Sequence, residues 1–243
     1  MSKVLGVIPA RIGSTRLPEK PLVMIHGKPL IQWVVENAHQ MKLFDELIVA
    51  TDSLKILNTV QGFGAQVQLT SPDHATGTDR VCEVALQRDF SIIVNLQGDE
   101  PFVKKQDLGK ALDFFKSNKF RLVTLSAPLK PEDWLRPEVV KVAYDSQTGQ
   151  AIDFFRLKPE SVQPQKKDTE RVGHHVGVYL FSRACLEAWE GLPPSERSQD
   201  ERLEQLKALD AGVSIGVVSI ENESIGIDTS EDVERAAHFL VKP

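Results

Sequence analysis

Cysteine is scarce in this chain: only Cys82 and Cys185 occur among 243 residues, inside helix-like patterns and without metal-ligand spacing. Both read as reduced packing residues. Long apolar runs are missing as well; none approaches the ~18 residues needed to cross a bilayer, so no membrane insertion is expected. The first residues pass straight into a strand-like stretch, without the apolar segment and small-residue cleavage site of a signal peptide. A cytoplasmic chain is the expectation. Nor is there an excess of positive charge, since 29 basic against 34 acidic residues give a formal net charge of −5. Such a surface is a poor partner for nucleic acid or an anionic membrane. Screening limits charge effects to ~8 Å at physiological salt, so any phosphate site has to be a local cluster of cations. What the chain does contain, 41% hydrophobic and 26% charged residues, suits a folded protein with a sizeable core.

Short β-branched runs at 4–9, 47–51, 66–69 and 91–96 read as strands. Helical patterns lie between and after them at 29–41, 53–61, 79–87 and 106–116. In the first of these, Leu30, Val34, Ala38 and Met41 share one face. This alternation predicts an α/β fold, a mainly parallel mixed sheet flanked by helices. The second half changes character. Strands at 139–144 and 150–155 flank a turn at 145–149, an exposed loop is expected over 157–173, and a further strand over 176–181. Helices at 184–189 and 201–211, a strand at 213–219 and a helix at 230–240, capped by Thr229 with Asp232, complete the pattern. The expected organisation is one domain over 1–243 with a smaller β-rich insertion at about 130–182.

Chemistry concentrates after the first strand, in Ala10-Arg-Ile-Gly-Ser-Thr-Arg-Leu-Pro-Glu-Lys-Pro-Leu22. Arg11, Arg16 and Lys20 are interleaved with Gly13, Ser14 and Thr15, which free backbone N–H groups and add hydroxyl donors. A triphosphate needs such a concave donor array, and open α/β sheets bind ligands beyond the carboxyl ends of their strands. The spacing matches neither the P-loop nor the dinucleotide fingerprint. Taken alone, the segment is as readily a solvated basic loop.

Two carboxylates stand out. Asp99 follows the turn-permitting Gly98 at the end of the fourth strand, and Asp228 precedes the last helix. Two hard oxygen donors completed by substrate phosphates and water form the kind of site magnesium prefers. Equally, Asp99 could cap a turn and Asp228 could support the final helix N-terminus. Thr76-Gly-Thr-Asp-Arg80 offers donors for a base or phosphate, while Thr78 could instead cap a helix. Period-two alternation sets His175, Gly177 and Tyr179 on one strand face, and Arg156 could pair with a substrate carboxylate.

The motifs Ile8-Pro-Ala-Arg-x-Gly-Ser-Thr-Arg-Leu-Pro-x-Lys-Pro-Leu22, Ala50-Thr-Asp52, Thr76-Gly-Thr-Asp-Arg80, Asn95-x-Gln-Gly-Asp-Glu-Pro101, His175-x-Gly-x-Tyr179, Leu203-Glu-Gln-Leu206 and Asp228-Thr-x-Glu-Asp232 occur in this order. Together they resemble the 3-deoxy-manno-octulosonate (Kdo) cytidylyltransferases. The resemblance implies a nucleotide-diphosphosugar transferase-like fold and a homodimer. It also implies transfer of CMP from CTP to an acidic eight-carbon keto sugar for lipopolysaccharide biosynthesis, with Mg2+ as cofactor. By matching position it assigns Arg11, Ser14, Arg16 and Lys20 to the CTP phosphates, and Thr78, Arg80 and Gln97 to the nucleotide. Asp99 and Asp228 would hold magnesium, with Lys20 completing the catalytic set. Arg156, His175, Tyr179, Glu204 and Gln205 would surround the sugar.

The chain departs from that pattern in places. Glu19 stands where the family commonly has glycine, and Asp153 and Phe155 replace the commoner Tyr and Ser beside Arg156. An extra carboxylate such as Asp153 could suit an amino-substituted sugar. Two other readings stay open at this point: a cytidylyltransferase for another acidic sugar such as a sialic acid, and a non-catalytic nucleotide-binding regulator.

Overall fold

The structure is a computed structural model that describes residues 2–14, 16–157, 169–222 and 226–240. The chain divides into two compact units, Met1–Leu108 with Ser224–Pro243, and Gly109–Glu223. No helix of the described residues is long and apolar enough to cross a membrane.

The strands of the first unit are β1 (Val4–Ala10), the short pair β2 (Met24–Ile25) and β3 (Lys28–Pro29), β4 (Glu46–Thr51), β5 (Val67–Leu69) and β6 (Ile92–Leu96). Its helices are α1 (Leu30–Met41), α2 (Leu54–Gly62), α3 (Gly77–Leu86) and the start of α4 (Lys105–Ser117). β1 lies between β6 and β4, β4 carries β5, and all these pairings are parallel. Every residue of β1 is buried, as a strand covered on both faces requires. α1 buries Leu30, Ile31, Val34, Val35, Ala38 and Met41, and each large aliphatic side chain there contributes about 2 kcal/mol.

The β2–β3 hairpin was not expected from the sequence. Its two-residue turn is His26-Gly27, with φ of 48° and 80°, the left-handed pair that matches strand twist. Two-residue strands are too short to carry a periodicity. The cap of α3 also differs from the expectation. Thr76, not Thr78, accepts from Asp79 N–H while the Asp79 side chain accepts from Thr76 N–H, a full capping box. Thr78 is fully buried instead.

In the second unit the strands are β7 (Leu122–Ala127), β8 (Lys141–Asp145), β9 (Ala151–Phe155), β10 (Glu170–Ser182) and β11 (Ile215–Ser219), with helices α5 (Arg183–Trp189), α6 (Glu196–Glu201) and α7 (Gln205–Asp210). β7 runs parallel to β11 and antiparallel to β10, and β10 also pairs antiparallel with β8, which folds back on β9. The sheet is therefore mixed and its strands are flanked by helices, the expected α/β class. The stretch at about 130–182 lies within this unit. The turn between β8 and β9 forms as its sequence implies. Asp145 Oδ1 accepts from Gln147 N–H at 3.0 Å and Thr148 N–H at 2.8 Å, and Gly149 takes φ of 73°. The Thr148 backbone bond, above all, holds the Asp145 carboxyl down at about 2.

Three features of this unit depart from the sequence reading. β7 was not expected at all, because its six residues are buried without alternation. β10 begins at Glu170, so the expected loop over 157–173 overlaps it; residues 158–168 lie outside the described residues. The expected helix over 201–211 is α7 alone, since Arg202 takes φ of 53° and ends α6. After β11 the chain returns to the first unit, where α8 (Ser230–Phe239) has a capping box that pairs Thr229 with Asp232 as expected.

Gly173 shows how closely β10 meets β7. A Cβ there would sit 2.0 Å from Ser126 Oγ and 2.8 Å from the Ala127 carbonyl oxygen. Gly173→Ala is expected to destabilise the protein by about 1–3 kcal/mol, read as a lower urea midpoint at unchanged slope.

Candidate active site

The basic loop leaves the carboxyl end of β1 and closes in a 3-10 turn, Lys20–Leu22, that Glu19 enters in the left-handed region with φ of 51°. That conformation explains why glycine suits this position, since a side chain there costs about 1–2 kcal/mol. The Glu19 carboxylate turns to Lys55 at 2.5 Å, so its charge beside the loop is matched by a cation on α2.

Lys20 is the hub. Its Nζ donates to the Asp99 carboxylate and to Asp228 Oδ1 at 2.9 Å, and Arg16 Nη2 lies 2.9 Å from Asp228 Oδ2. Burial alone pulls the Lys20 ammonium down, but the charges and hydrogen bonds of Asp99 and Asp228 outweigh it and raise the group above its ordinary 10.5. Lys20 is thus a fixed cation at physiological pH.

Local chemistry brings the two aspartates there. After β6 the chain turns at Gly98, where a Cβ would lie 2.9 Å from the Pro9 carbonyl oxygen. Only glycine allows this approach to the end of β1, and it delivers Asp99 to the loop. Ile227 N–H then donates to the Asp99 carbonyl at 2.9 Å, which lays the second segment alongside the first. Capping of α8 falls to Thr229 and Asp232. The Asp232 carboxylate accepts from the N–H groups of Asp228 and Thr229 at 3.1 and 3.0 Å. The Asp228 carboxylate is left to face Lys20 and Arg16.

The other nucleotide residues expected from the sequence are placed as follows. Arg11 is exposed and Ser14 half-buried on the loop, while Thr15 lies outside the described residues. Asn95 Nδ2 donates to Thr78 Oγ1 at 3.3 Å, and Gln97 Nε2 donates to Asn95 Oδ1 at 3.2 Å. The backbone of Gly77 packs against the Gln97 amide. Arg80 is only 3% exposed. Its guanidinium bonds the Thr70 hydroxyl, the Ser71 carbonyl at 3.1 Å and Asp52 Oδ2 at 3.0 Å. Asp52 stands in one of the sequence motifs, yet no role could be read for it there. Its Oδ1 accepts from Ile12 N–H at 3.2 Å. Among the described residues no group of three or more His, Cys, Asp or Glu side chains could hold a metal ion by itself. Asp99 and Asp228, meeting at one ammonium, are two hard oxygen donors of the type a magnesium site completed by substrate phosphates uses.

The residues expected around a sugar belong to the second unit. Tyr179 Oη donates to Gln205 Oε1 at 3.1 Å, and both side chains are buried. Gln205 Nε2 is the buried side-chain polar atom without a hydrogen-bond partner among the described residues. Glu204 precedes it, half-buried, at the start of α7. Arg156 donates from Nε to the Glu201 carbonyl at 2.8 Å and from Nη1 to the Pro137 carbonyl at 2.9 Å. Asp153 is engaged by Arg197 Nη2 at 2.5 Å, and Arg197 also reaches Asp210 at 2.9 Å. Lys141, which the sequence reading passed over, is fully buried. Its Nζ donates to the Arg136 and Arg156 carbonyls at 2.7 and 2.8 Å, and burial lowers its pKa.

His175 is 7% exposed, edge-on to Phe154 with ring centroids 5.1 Å apart. A bulge between Val176 and Tyr179 interrupts the expected alternation, yet the His175 and Tyr179 rings remain 5.5 Å apart. Thr124 Oγ1 lies 3.0 Å from His175 Nε2 and 2.8 Å from the Val178 carbonyl. A hydroxyl has one proton to give, and the carbonyl can only accept. The ring therefore donates from Nε2, and burial pushes its pKa down to about 3, which leaves it neutral at physiological pH.

That depression carries a sign. The unfolded chain protonates His175 below its ordinary 6.5 while the folded chain resists until about 3, so stability is complete above the first value and falls as pH drops toward the second. His175→Asn is expected to flatten this acid slope in urea midpoints measured against pH, with His174, which burial also lowers, unchanged in both proteins. Parallel curves for the two would mean that the ring is not buried neutral.

Comparison with known proteins agrees with this architecture. A profile of the Cytidylyltransferase family matches residues 5–215. The 3-deoxy-manno-octulosonate cytidylyltransferase of Thermodesulfovibrio yellowstonii is 41% identical over 248 residues, covering 96% of each chain. That of Geobacter sulfurreducens is 39% identical and covers 98% of this chain and 99% of the relative. A solved structure of CMP:2-keto-3-deoxy-manno-octonic acid synthetase complexed with CTP superposes with a TM-score of 0.88 at 36% identity, over 98% of both chains. A 4-diphosphocytidyl-2C-methyl-D-erythritol synthase from Anaerococcus prevotii, 16% identical with a TM-score of 0.61 over 98% of both chains, shares the fold. With a matching family profile and full-length relatives at this identity, the chain belongs to the cytidylyltransferase family, among the 3-deoxy-manno-octulosonate cytidylyltransferases.

Proposed function

We propose that this protein transfers CMP from CTP to 3-deoxy-manno-octulosonate, or a close acidic eight-carbon keto sugar, releasing pyrophosphate and supplying activated sugar for lipopolysaccharide biosynthesis. The observation that carries the catalytic reading is the meeting of Asp99 and Asp228 on the Lys20 ammonium, at the closing end of the basic loop.

In the reaction the anomeric hydroxyl oxygen of the sugar forms a bond to the α-phosphorus of CTP. The bond from that phosphorus to the oxygen bridging to the β-phosphate breaks, pyrophosphate leaves, and the hydroxyl proton passes to solvent. Positioning and charge stabilisation dominate such a transfer, with no covalent protein intermediate. Lys20, held cationic by its two carboxylates, and Arg16 supply fixed positive charge against the negative charge that develops toward pyrophosphate. Arg11 and Ser14 extend that donor array along the loop, and Gln97 would serve the nucleotide, with the buried Thr78 acting through Asn95, which bonds both. Asp99 and Asp228 would hold Mg2+, which when bound neutralises phosphate charge and acidifies the attacking hydroxyl.

For the sugar, the proposed set is Arg156, His175, Tyr179, Glu204 and Gln205. The orphaned Gln205 amide supports a polar ligand there, because buried donors rarely go unsatisfied. His175 acts as a neutral donor and not as a cation. We further read the protein as a cytoplasmic homodimer. The buried free thiols of Cys82 and Cys185 suit a reducing compartment, and burial pushes Cys185 up to about 11, out of reach of easy oxidation.

Pyrophosphate release on mixing the protein with CTP, Mg2+ and a panel of acidic sugars tests the function directly. Rapid release is expected with the octulosonate, and release with a sialic acid alone would overturn the substrate assignment. Parallel rates with hydroxyl and amino forms of the sugar decide whether a substituted analogue is preferred. Asp99→Asn is expected to cut kcat by at least ~10²-fold, as for loss of one strong electrostatic stabiliser; a near-normal rate removes Asp99 from the centre of the site. Chelation with EDTA should abolish turnover and added Mg2+ restore it, and undiminished turnover in EDTA would exclude the proposed metal role.

A further inference from the structure

Four chain segments converge on one ion pair at the carboxyl ends of the first unit's strands. Asp52 follows β4, Arg80 lies in the first turns of α3, Thr70 and Ser71 follow β5, and Ile12 begins the basic loop after β1. The Asp52 carboxylate uses one oxygen for Arg80 Nη2, at 3.0 Å, and the other for the Ile12 backbone N–H, at 3.2 Å. Arg80 in turn bonds the Thr70 hydroxyl and the Ser71 carbonyl. The Asp52 and Arg80 side chains are 14% and 3% exposed. Glu83, one helical turn along α3, ties the same segment from another side. It accepts from Ser71 N–H at 2.9 Å and lies 2.5 Å from His74 Nε2.

A guanidinium so enclosed, with three of its N–H donors bonded to Thr70, Ser71 and Asp52, exposes little surface to a nucleotide. What the pair does touch is the backbone between Arg11 and Ser14, where the phosphate loop must hold its N–H groups and side chains in one arrangement. A carboxylate is suited to this because it accepts on two sides at once, and Arg80 keeps it aimed. We propose that Asp52 and Arg80 form a positioning pair, which presets the basic loop for the triphosphate through the Ile12 N–H and does not itself contact the nucleotide. This rests on the reading that the loop binds the phosphates of CTP.

A folding role alone is the competing reading of a buried ion pair, and loss of one partner strands the other charge. The deciding variant removes both charges together. Asp52→Ala with Arg80→Met removes both charges, so neither is left stranded, and leaves Ile12 N–H without its acceptor. Circular dichroism melting establishes folding, and calorimetry compares two probes, CTP and inorganic tripolyphosphate. The expected result is a folded double variant that binds both probes about tenfold more weakly, with KM for CTP raised more than kcat is lowered. Asp52→Asn, which keeps an acceptor for Ile12 but loses the charge, should fall between it and the wild type, and it carries the comparison if the double variant melts early.

Unchanged binding of both probes by the double variant would reduce the pair to a folding role. Weaker binding of CTP with tripolyphosphate unaffected would show that the pair reads the nucleoside, which also overturns the proposal. Failure of the wild-type protein to bind tripolyphosphate in competition with CTP would instead remove the phosphate-loop reading beneath it.

Discussion

A lysine ammonium held between two carboxylates organises the first unit's site. Asp99 and Asp228 repel one another, and a shared position for them is tolerable only when a cation stands at their meeting point. Lys20 fills that place in the free chain, and Arg16 adds a second contact on the outer oxygen of Asp228. The cluster is poised for exchange of charge. In the proposed reaction a triphosphate would bring negative charge to the cations, and a divalent ion would bring positive charge to the carboxylates. Neither ligand has to create its own site, which is the meaning of preorganisation in phosphoryl transfer.

Holding this cluster in place is work for the backbone. Parallel strands deliver successive loops to one edge of the sheet, and close contacts then fix where each loop turns. Gly98 lets the end of β6 press against the Pro9 carbonyl, Ile227 N–H bonds the Asp99 carbonyl, and Asp232 rather than Asp228 caps α8. Glu19 shows the same constraint from the opposite direction. Its left-handed backbone is a position made for glycine, and the side chain it carries is neutralised by Lys55.

The second unit relies on buried polar groups matched to backbone. Thr124, on a strand whose residues are all buried, accepts from His175 and donates to a carbonyl of β10. Lys141 spends its buried ammonium on two carbonyls, one of them that of Arg156. Satisfied networks of this kind rigidify a core, because each alternative arrangement leaves a buried group unpaired. Among the described residues, the Gln205 amide nitrogen is the buried side-chain polar atom that such a network leaves without a partner.

Much of this was legible before any coordinates. Alternation of apolar runs with helical patterns determines the parallel sheet of the first unit, because strands covered on both faces must be continuously apolar. Gly, Ser and Thr among arginines and lysine mark the basic loop, and Thr229 with Asp232 marks the start of α8. Such signals are local, set by periodicity, turn chemistry and capping within a few residues. Other features were decided only by tertiary packing. The convergence of Asp99 with Asp228, the use of Asp52 by both Arg80 and Ile12, and the neutrality of His175 depend on residues distant in the chain. So do the strand at Leu122–Ala127, which has no alternation to betray it, and the lysine at position 141, which reads as surface until a sheet closes around it. Sequence specifies the backbone's local preferences and the chemistry each side chain can offer. Which charges meet, and which are shut away from water, is settled only when distant segments pack, because Coulomb energy and desolvation depend on distance in space and not on separation along the chain.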